Sequence, residues 1–270
     1  MSHDAPKGSE TDGALLLGTS GFSFKDWVGV IYPAGTRPQE MLERYAQRFG
    51  AVEINSTYYR LPSPSVMERM ATRTPRDFVF TVKLHQDVTH RKTADPAAFD
   101  AFRAVVAPLQ AAGKFHGALA QFPYAFRGTR ENARYLKLLR AALPEMPLWV
   151  EFRHASWAVE KVFEFLEGQG LGFCSVDEPT LPGLFPPLAR RVGPDAYVRF
   201  HGRNAAAWWG GDNAGRYDYL YSEGELGEWA EKIRELRAKS RRTYVFFNNC
   251  HDGNAARNAE EFARMVGGLA

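Results

Sequence analysis

Cysteine is scarce, with only Cys174 and Cys250 in a chain of 270 residues. They form no CxxC pair, so neither a disulfide scaffold nor a cysteine zinc site is expected at this size. Each lies in or just after an apolar run, and both read as buried free thiols suited to a reducing cytoplasm. A large charge excess is also missing: 34 Lys and Arg face 31 Asp and Glu, leaving +3. That balance neither demands a nucleic-acid partner nor excludes one. No run reaches the ~18 consecutive apolar residues of a membrane span. Residues 1–13 (MSHDAPKGSETDG) lack a signal peptide's apolar stretch and read as a disordered tail. Gly18 and Gly21 in GTSG match neither GxGxxG nor a P-loop. The expectation is a soluble, cytoplasmic protein with a single domain over 14–270 and no membrane contact.

What the chain does have is alternation. The short apolar runs ALLLGTS (14–20), AVEINST (51–57), FVFTVKL (78–84), HGALAQF (116–122), LWVEFR (148–153), GFCSVD (172–177), AYVRFHG (196–202) and TYVFFNN (243–249) read as strands. Amphipathic stretches between and after them predict helices over 38–49, 63–73, 97–111, 131–143, 159–167, 225–239 and 254–266. Only PTLPGLFPPLARRVGP, after the sixth run, is broken by prolines, which predicts a short or irregular element. An open doubly wound sheet usually carries fewer strands. Eight βα units favour a (β/α)8 TIM-type barrel.

Side chains alternate along a strand, so one set faces the barrel interior and the other faces the helices. One phase is apolar, as in Val52 and Ile54, or Val198 and Phe200. The other is polar: Glu53 and Asn55, Thr81 and Lys83, Glu151 and Arg153, Ser175 and Asp177, Arg199 and His201. Gln121 closes the fourth run and Asn248 the eighth. The polar phase is taken as inward and sits near the C-terminal strand ends, where barrels of this type carry their sites. Candidate catalytic groups are Glu53 or Glu151 as general base, Lys83 as proton donor or electrophile with a depressed pKa, and Asp177 and His201 beside them. Arg153 and Arg199 form a candidate anion clamp. Asn55, Tyr58, Gln121, Trp208 and Asn248 are candidate substrate contacts. For any single charge the competing reading is an internal ion pair, such as Glu151 with Arg199. Glu151, Asp177 and His201 could together hold a divalent metal, but the interleaved arginines would neutralise the acids. No metal and no cofactor are expected.

Loops after the strands bring aromatics to the mouth: Phe22, Phe24 and Trp27 in the first, Tyr58 and Tyr59 in the second, His154 and Trp157 in the fifth. The seventh, GRNAAAWWGGDNAGRYDYLYSEGEL, supplies Trp208, Trp209, Tyr217, Tyr219 and Tyr221. Such rings stack on sugars or bases, or pack on one another as a cover. Its glycines also suit a lid. The third loop holds His85, His90, Arg91 and Lys92, a solvated basic loop or a phosphate-binding rim.

The segments GTSGFSFKDWVGVIYP, FGAVEINSTYYRLPS, FVFTVKLHQDVTH, LAQFP, EFRHASW, VRFHGR and YVFFNNCHDGNAARNA together resemble the YecE-like family, a domain of unknown function. The resemblance spans roughly residues 15–265 and implies a TIM-type barrel, but no activity. Its matching positions are Glu53, Asn55, Lys83, Gln121, Glu151, Arg153, Asp177, Arg199, His201 and Asn248, and the Tyr-Asp-Tyr-Leu-Tyr run resembles the family too. Three functions stay open. One is an enzyme (a lyase, isomerase or hydrolase) using acid–base chemistry on a phosphorylated or carboxylated, sugar-like molecule. The second is a nucleic-acid-binding or repair-like barrel, by analogy with endonuclease barrels. The third is a non-catalytic small-molecule binder.

Overall fold

The computed structural model describes residues 13–210 and 213–267, so nearly all of the expected tail lies outside the described residues. Gly13, assigned to that tail, is already anchored: its carbonyl accepts from Arg237 Nε at 2.8 Å. The strands are β1 (Ala14–Ser20), β2 (Ala51–Ile54), β3 (Val79–Lys83), β4 (Phe115–Gln121), β5 (Leu148–Glu151), β6 (Gly172–Asp177), β7 (Ala196–Phe200) and β8 (Arg242–Phe247). They pair in parallel in chain order, and β8 closes on β1 to complete the barrel. Several predicted runs lose residues at their C-terminal ends, where the chain leaves the sheet for the mouth loops.

The main helices are α1 (Met41–Ala46), α2 (Pro64–Thr72), α4 (Pro96–Ala111), α5 (Arg130–Ala142), α6 (Glu160–Gly168), α9 (Glu223–Ala238) and α10 (Asn254–Val266). Three short ones, α3 (Gln86–Thr89), α7 (Ala205–Trp208) and α8 (Asn213–Tyr217), lie in the third and seventh loops. Local chemistry sets their ends. Asp95 caps α4 with Pro96 as its first residue, and Ser222 and Glu225 form a capping box on α9. Left-handed glycines, Gly253 (φ 78°) and Gly267 (φ 67°), bracket α10. No helix joins β6 to β7, as the prolines predict. Among the described residues no helix is long and apolar enough to cross a membrane.

Outside the barrel, Val52, Ile54, Phe80, Val82, Val150, Val198 and Phe200 are buried beneath the helices. Each such side chain contributes roughly 1.5–3 kcal/mol of burial. Inside, the N-terminal end is plugged by aromatic rings. Trp149 lies 4.9 Å from Tyr197 and 5.0 Å from Tyr244, centroid to centroid. Glycines on both neighbouring strands make room for its indole. A Cβ on Gly117 or on Gly172 would stand 2.4 Å from that ring. The polar residues begin above this plug.

Candidate functional site

An ionic layer sits directly on the aromatic plug. Arg199, 1% exposed, donates from Nη1 to Glu151 Oε2 and from Nη2 to Glu53 Oε1, both at 2.6 Å. The other oxygen of Glu53 accepts from the Tyr197 hydroxyl at 2.6 Å. The other oxygen of Glu151 accepts from Arg153 Nε at 2.7 Å and lies 3.1 Å from His201 Nε2. Burial pushes the Glu151 carboxyl up, but Arg199, Arg153 and His201 overcome it and hold the group well below the usual carboxylate range. Burial, then Arg153, drives the His201 imidazolium well below its ordinary pKa, so the ring is neutral.

These contacts correct three assignments. Glu53 and Glu151 are not general bases, because both are fully buried with their oxygens already bonded. Arg199 is not part of an anion clamp, since it is buried beneath the cavity and does not line it, with its guanidinium on two carboxylates. The internal pair of Glu151 with Arg199 is what forms. His201 lies beneath the mouth, completely buried, and bonds Glu151, the carboxylate that holds Arg153.

Asp177 needs a fourth correction. Register with β7 pairs Asp177 with Phe200 and Val176 with Arg199. Paired residues of parallel strands point the same way, so Asp177 and Ser175 face outward with Phe200 and Val198. Asp177 accepts from Trp229 Nε1 at 2.6 Å, from the Tyr221 hydroxyl at 2.6 Å and from Arg203 at 2.9 and 2.8 Å. The Ser175 hydroxyl accepts from the Arg190 amide at 3.0 Å. With no helix following β6, part of its outer face is covered by loop backbone, which requires polar partners. The inward phase of β6 is Cys174, Val176 and then Glu178, a residue the sequence reading missed. Continuing the alternation one step past the strand end would have found it. With Asp177 facing outward, Glu151, Asp177 and His201 do not gather as the metal ligands the sequence had left possible. Among the described residues, no three His, Cys, Asp or Glu groups stand where they could hold a metal ion.

Above the ionic layer opens a cavity of about 330 Å³. Lys83, Gln121, Arg153, Tyr58 and Trp208 line it, as the strand-end and loop positions suggested. Lys83 Nζ donates to Gln121 Oε1 at 2.7 Å and sits 4.4 Å above the Tyr58 ring. Burial, then Arg199 and Arg153, outweigh Glu151 and Glu53 and lower the amine to about 7. Arg153 Nη1 donates to Glu178 Oε2 at 2.9 Å, and its guanidinium lies 5.8 Å from the Trp208 ring. Two arginines are thus shared among three buried carboxylates. Glu178 is the one left over, with Oε1 unbonded, and burial lifts its pKa to about 8.

The sequence reading placed no role on Tyr124 or Arg216, and gave His90 only a rim position; all three line the cavity. Arg216 stands 5.6 Å from the Trp208 ring. His90 is lowered to about 4 by burial, Lys83 and Arg153, so it is neutral here. Asn55 and Asn248 instead line a neighbouring cavity of about 520 Å³, with Phe22, Phe24, Ile54 and Met70. Tyr59 and Tyr217 belong to both walls.

The remaining rim residues have structural roles. Trp27 donates to the Cys250 carbonyl at 2.7 Å, Trp157 is stacked on Phe152, and Tyr219 bonds Glu225. His154 accepts from the Ser156 amide, and His85 caps α3. In the third loop, Arg91 pairs with Asp87 and Lys92 reaches Asn132. Both cysteines are free, and burial raises both thiols, so neither is a reactive thiolate.

The family model described as "Protein of unknown function DUF72" matches residues 16–269. The UPF0759 protein YunF of Bacillus subtilis (strain 168) is 31% identical over 269 residues, covering 93% of this chain and 94% of its own. The crystal structure of a DUF72 family protein from Thermotoga maritima MSB8 is 43% identical with a TM-score of 0.88, over 94% of this chain and 99% of that one. A second DUF72 family structure, from Enterococcus faecalis V583, is 27% identical with a TM-score of 0.84, over 95% and 96% of the two chains.

Proposed function

The chain belongs to the DUF72 family, the YecE-like family under another name, and from its own barrel mouth we propose that it is an enzyme using the Lys83 amine for acid–base chemistry on a small anionic, sugar-like molecule. One observation carries this reading. The cavity wall holds Lys83, Arg153 and Arg216, and among the described residues no carboxylate lines it. A surplus of cations facing a cavity is matched by a phosphoryl or carboxylate group on the ligand. The acids that balance the barrel's charge lie underneath, in contact with protein.

Lys83 takes over the role that the sequence suggested for Glu53 or Glu151. With a pKa of about 7 it exchanges a proton readily near neutrality, where general acid–base catalysis is most effective. As an ammonium it donates to the ligand's anionic oxygen; as an amine it accepts a proton from a carbon or hydroxyl next to it. Gln121 fixes its position. Arg153 is held by Glu151 and Glu178, so its remaining edge is pre-organised for the anion. Trp208 and Tyr217 supply ring faces suited to a sugar-like body.

The test is titration calorimetry with inorganic phosphate near neutral pH, on wild type and on Lys83→Met and Arg153→Met. Wild type should bind, and each variant should weaken binding about tenfold or more, the loss of one charge-assisted contact. Unchanged affinity in both variants would overturn the site. A metabolite screen read by thermal shift then finds the ligand, and a turnover assay on that ligand separates enzyme from binder. A ligand that is bound without turnover by wild type favours the non-catalytic reading.

A further inference from the structure

The second cavity has a composition opposite to the first. It is the larger, at about 520 Å³, and Phe22, Phe24, Ile54 and Met70 give it apolar walls. Among the described residues no lysine or arginine lines it, whereas Asp26 does. An anion is unwelcome there, whereas an uncharged ring fits. The two cavities are not separate sites on the surface, because the Tyr59 and Tyr217 side chains form part of both.

A hydrogen-bonded chain also runs from one floor to the other. Asn55 Nδ2 donates to Asn248 Oδ1 at 3.1 Å, Asn248 Nδ2 donates to His201 Nδ1 at 3.1 Å, and His201 Nε2 donates to Glu151 Oε1 at 3.1 Å, the same oxygen that accepts from Arg153 Nε at 2.7 Å. At the apolar end of this chain Asn55 Oδ1 is buried without a hydrogen-bond partner. A buried acceptor of this kind is costly unless something bonds to it, and a ligand N–H or O–H would satisfy it.

We infer that the ligand is bipartite: its anionic group occupies the Lys83–Arg153 cavity, and a covalently attached, uncharged ring bearing a hydrogen-bond donor occupies the apolar cavity over Asn55. This rests on the anion-binding reading above and adds the substrate class, an anion tethered to a ring. The orientation is set by charge. Among the described residues, cations line one chamber, and an acid without a lysine or arginine lines the other. Tethering makes binding of the second half intramolecular, so the joined molecule binds more tightly than its parts.

Calorimetry with inorganic phosphate, phenol, phenyl phosphate and 4-hydroxyphenyl phosphate tests this directly. The expected result is phenyl phosphate binding at least tenfold more tightly than phosphate, with phenol weaker than either, and 4-hydroxyphenyl phosphate, whose ring carries a donor, tightest of all; equal affinity of the two esters overturns the donor at Asn55. Ser56→Trp, which fills the apolar chamber, should abolish that advantage and leave phosphate affinity unchanged. Phe24→Ala, which strips one ring from its wall, should reduce it and provides a second reading if Ser56→Trp does not fold. Equal affinity for phosphate and phenyl phosphate overturns the bipartite ligand while leaving the anion site standing. Failure of either phosphate compound to bind overturns the anion site itself, and the inference with it. An advantage for phenyl phosphate that survives both variants also overturns it, because the ring would then lie elsewhere.

Discussion

Lys83 is the residue on which most of the chemistry depends, and its charge has a cost that can be measured. The amine titrates at about 7 in the folded chain, against an ordinary 10.5. Between those values the unfolded chain holds the extra proton, so this group makes stability rise with pH across that window. Below pH 7 the burial penalty is present in full. Lys83→Met removes it, so the variant should gain most over wild type below pH 7, and the gain should shrink toward pH 10.5, as read by urea unfolding. Glu151 and Glu178, both bonded to Arg153, should behave oppositely to one another. Glu151→Gln leaves Arg199 and Arg153 short of an anion and should cost about 3–5 kcal/mol. Glu178, with a pKa raised from 4.5 to about 8, is mostly protonated at pH 7. Wild-type stability therefore falls between about pH 4.5 and 8, because the unfolded chain has released the proton that the folded chain still holds. Glu178→Gln should gain on wild type between about pH 4.5 and 8 and keep the gain above it, in the same unfolding experiment.

At the scale of elements, β6 decides which acids belong to the site. Its outward Asp177 ties the strand to Trp229 on α9 and to Tyr221 and Arg203 from the seventh loop. Asp177→Asn should lower stability by about 2–4 kcal/mol, because Arg203 and the donors around it lose a buried anion. Phosphate affinity should stay unchanged, since the residue does not face the cavity. A large loss of affinity without loss of stability would return Asp177 to the site. The strands β4, β5 and β6 are joined by another dependence, the seat of Trp149 between Gly117 and Gly172. Gly117 has φ 147°, and an added Cβ would meet the indole at 2.4 Å. Gly117→Ala should therefore destabilise the barrel by about 1–3 kcal/mol, the usual cost of overpacking, seen as a lower thermal midpoint.

For the whole molecule, closure of β8 on β1 creates a vertical order: aromatic plug, ionic layer, then two cavities. The ionic layer isolates the mouth from the plug, and its carboxylates are part of what sets the electrostatics at Lys83. That coupling predicts a pH-dependent affinity for any anion whose own charge is constant. Sulfate should bind more tightly at about pH 6 than at about pH 8, because Lys83 gains its proton as the pH falls through about 7. Lys83→Met should flatten the profile. Calorimetry at several pH values checks both, and a flat wild-type profile would remove Lys83 from the anion's surroundings.

Strand alternation is a property of the local backbone, so the sequence alone determined the eight strands, the helix faces, the missing helix after β6 and the C-terminal mouth as the place where Lys83, Gln121 and Arg153 gather. Alternation separates two faces of a strand but does not say which one is inward. At β6 the more polar face, Ser175 and Asp177, is the outer one, and only register with Arg199 and Phe200 on β7 reveals this. Nor does alternation say whether an inward charge meets ligand or another side chain. Glu53 and Arg199 are 146 residues apart in the chain and 2.6 Å apart in the barrel. Their pairing, which removes both from the list of groups available to a substrate, arises only when the sheet closes. What remains in the cavity among the described residues, a lysine and two arginines without an acid, was therefore decided by tertiary structure: in a low-dielectric interior, the carboxylates were drawn to arginines that distant strands brought within reach.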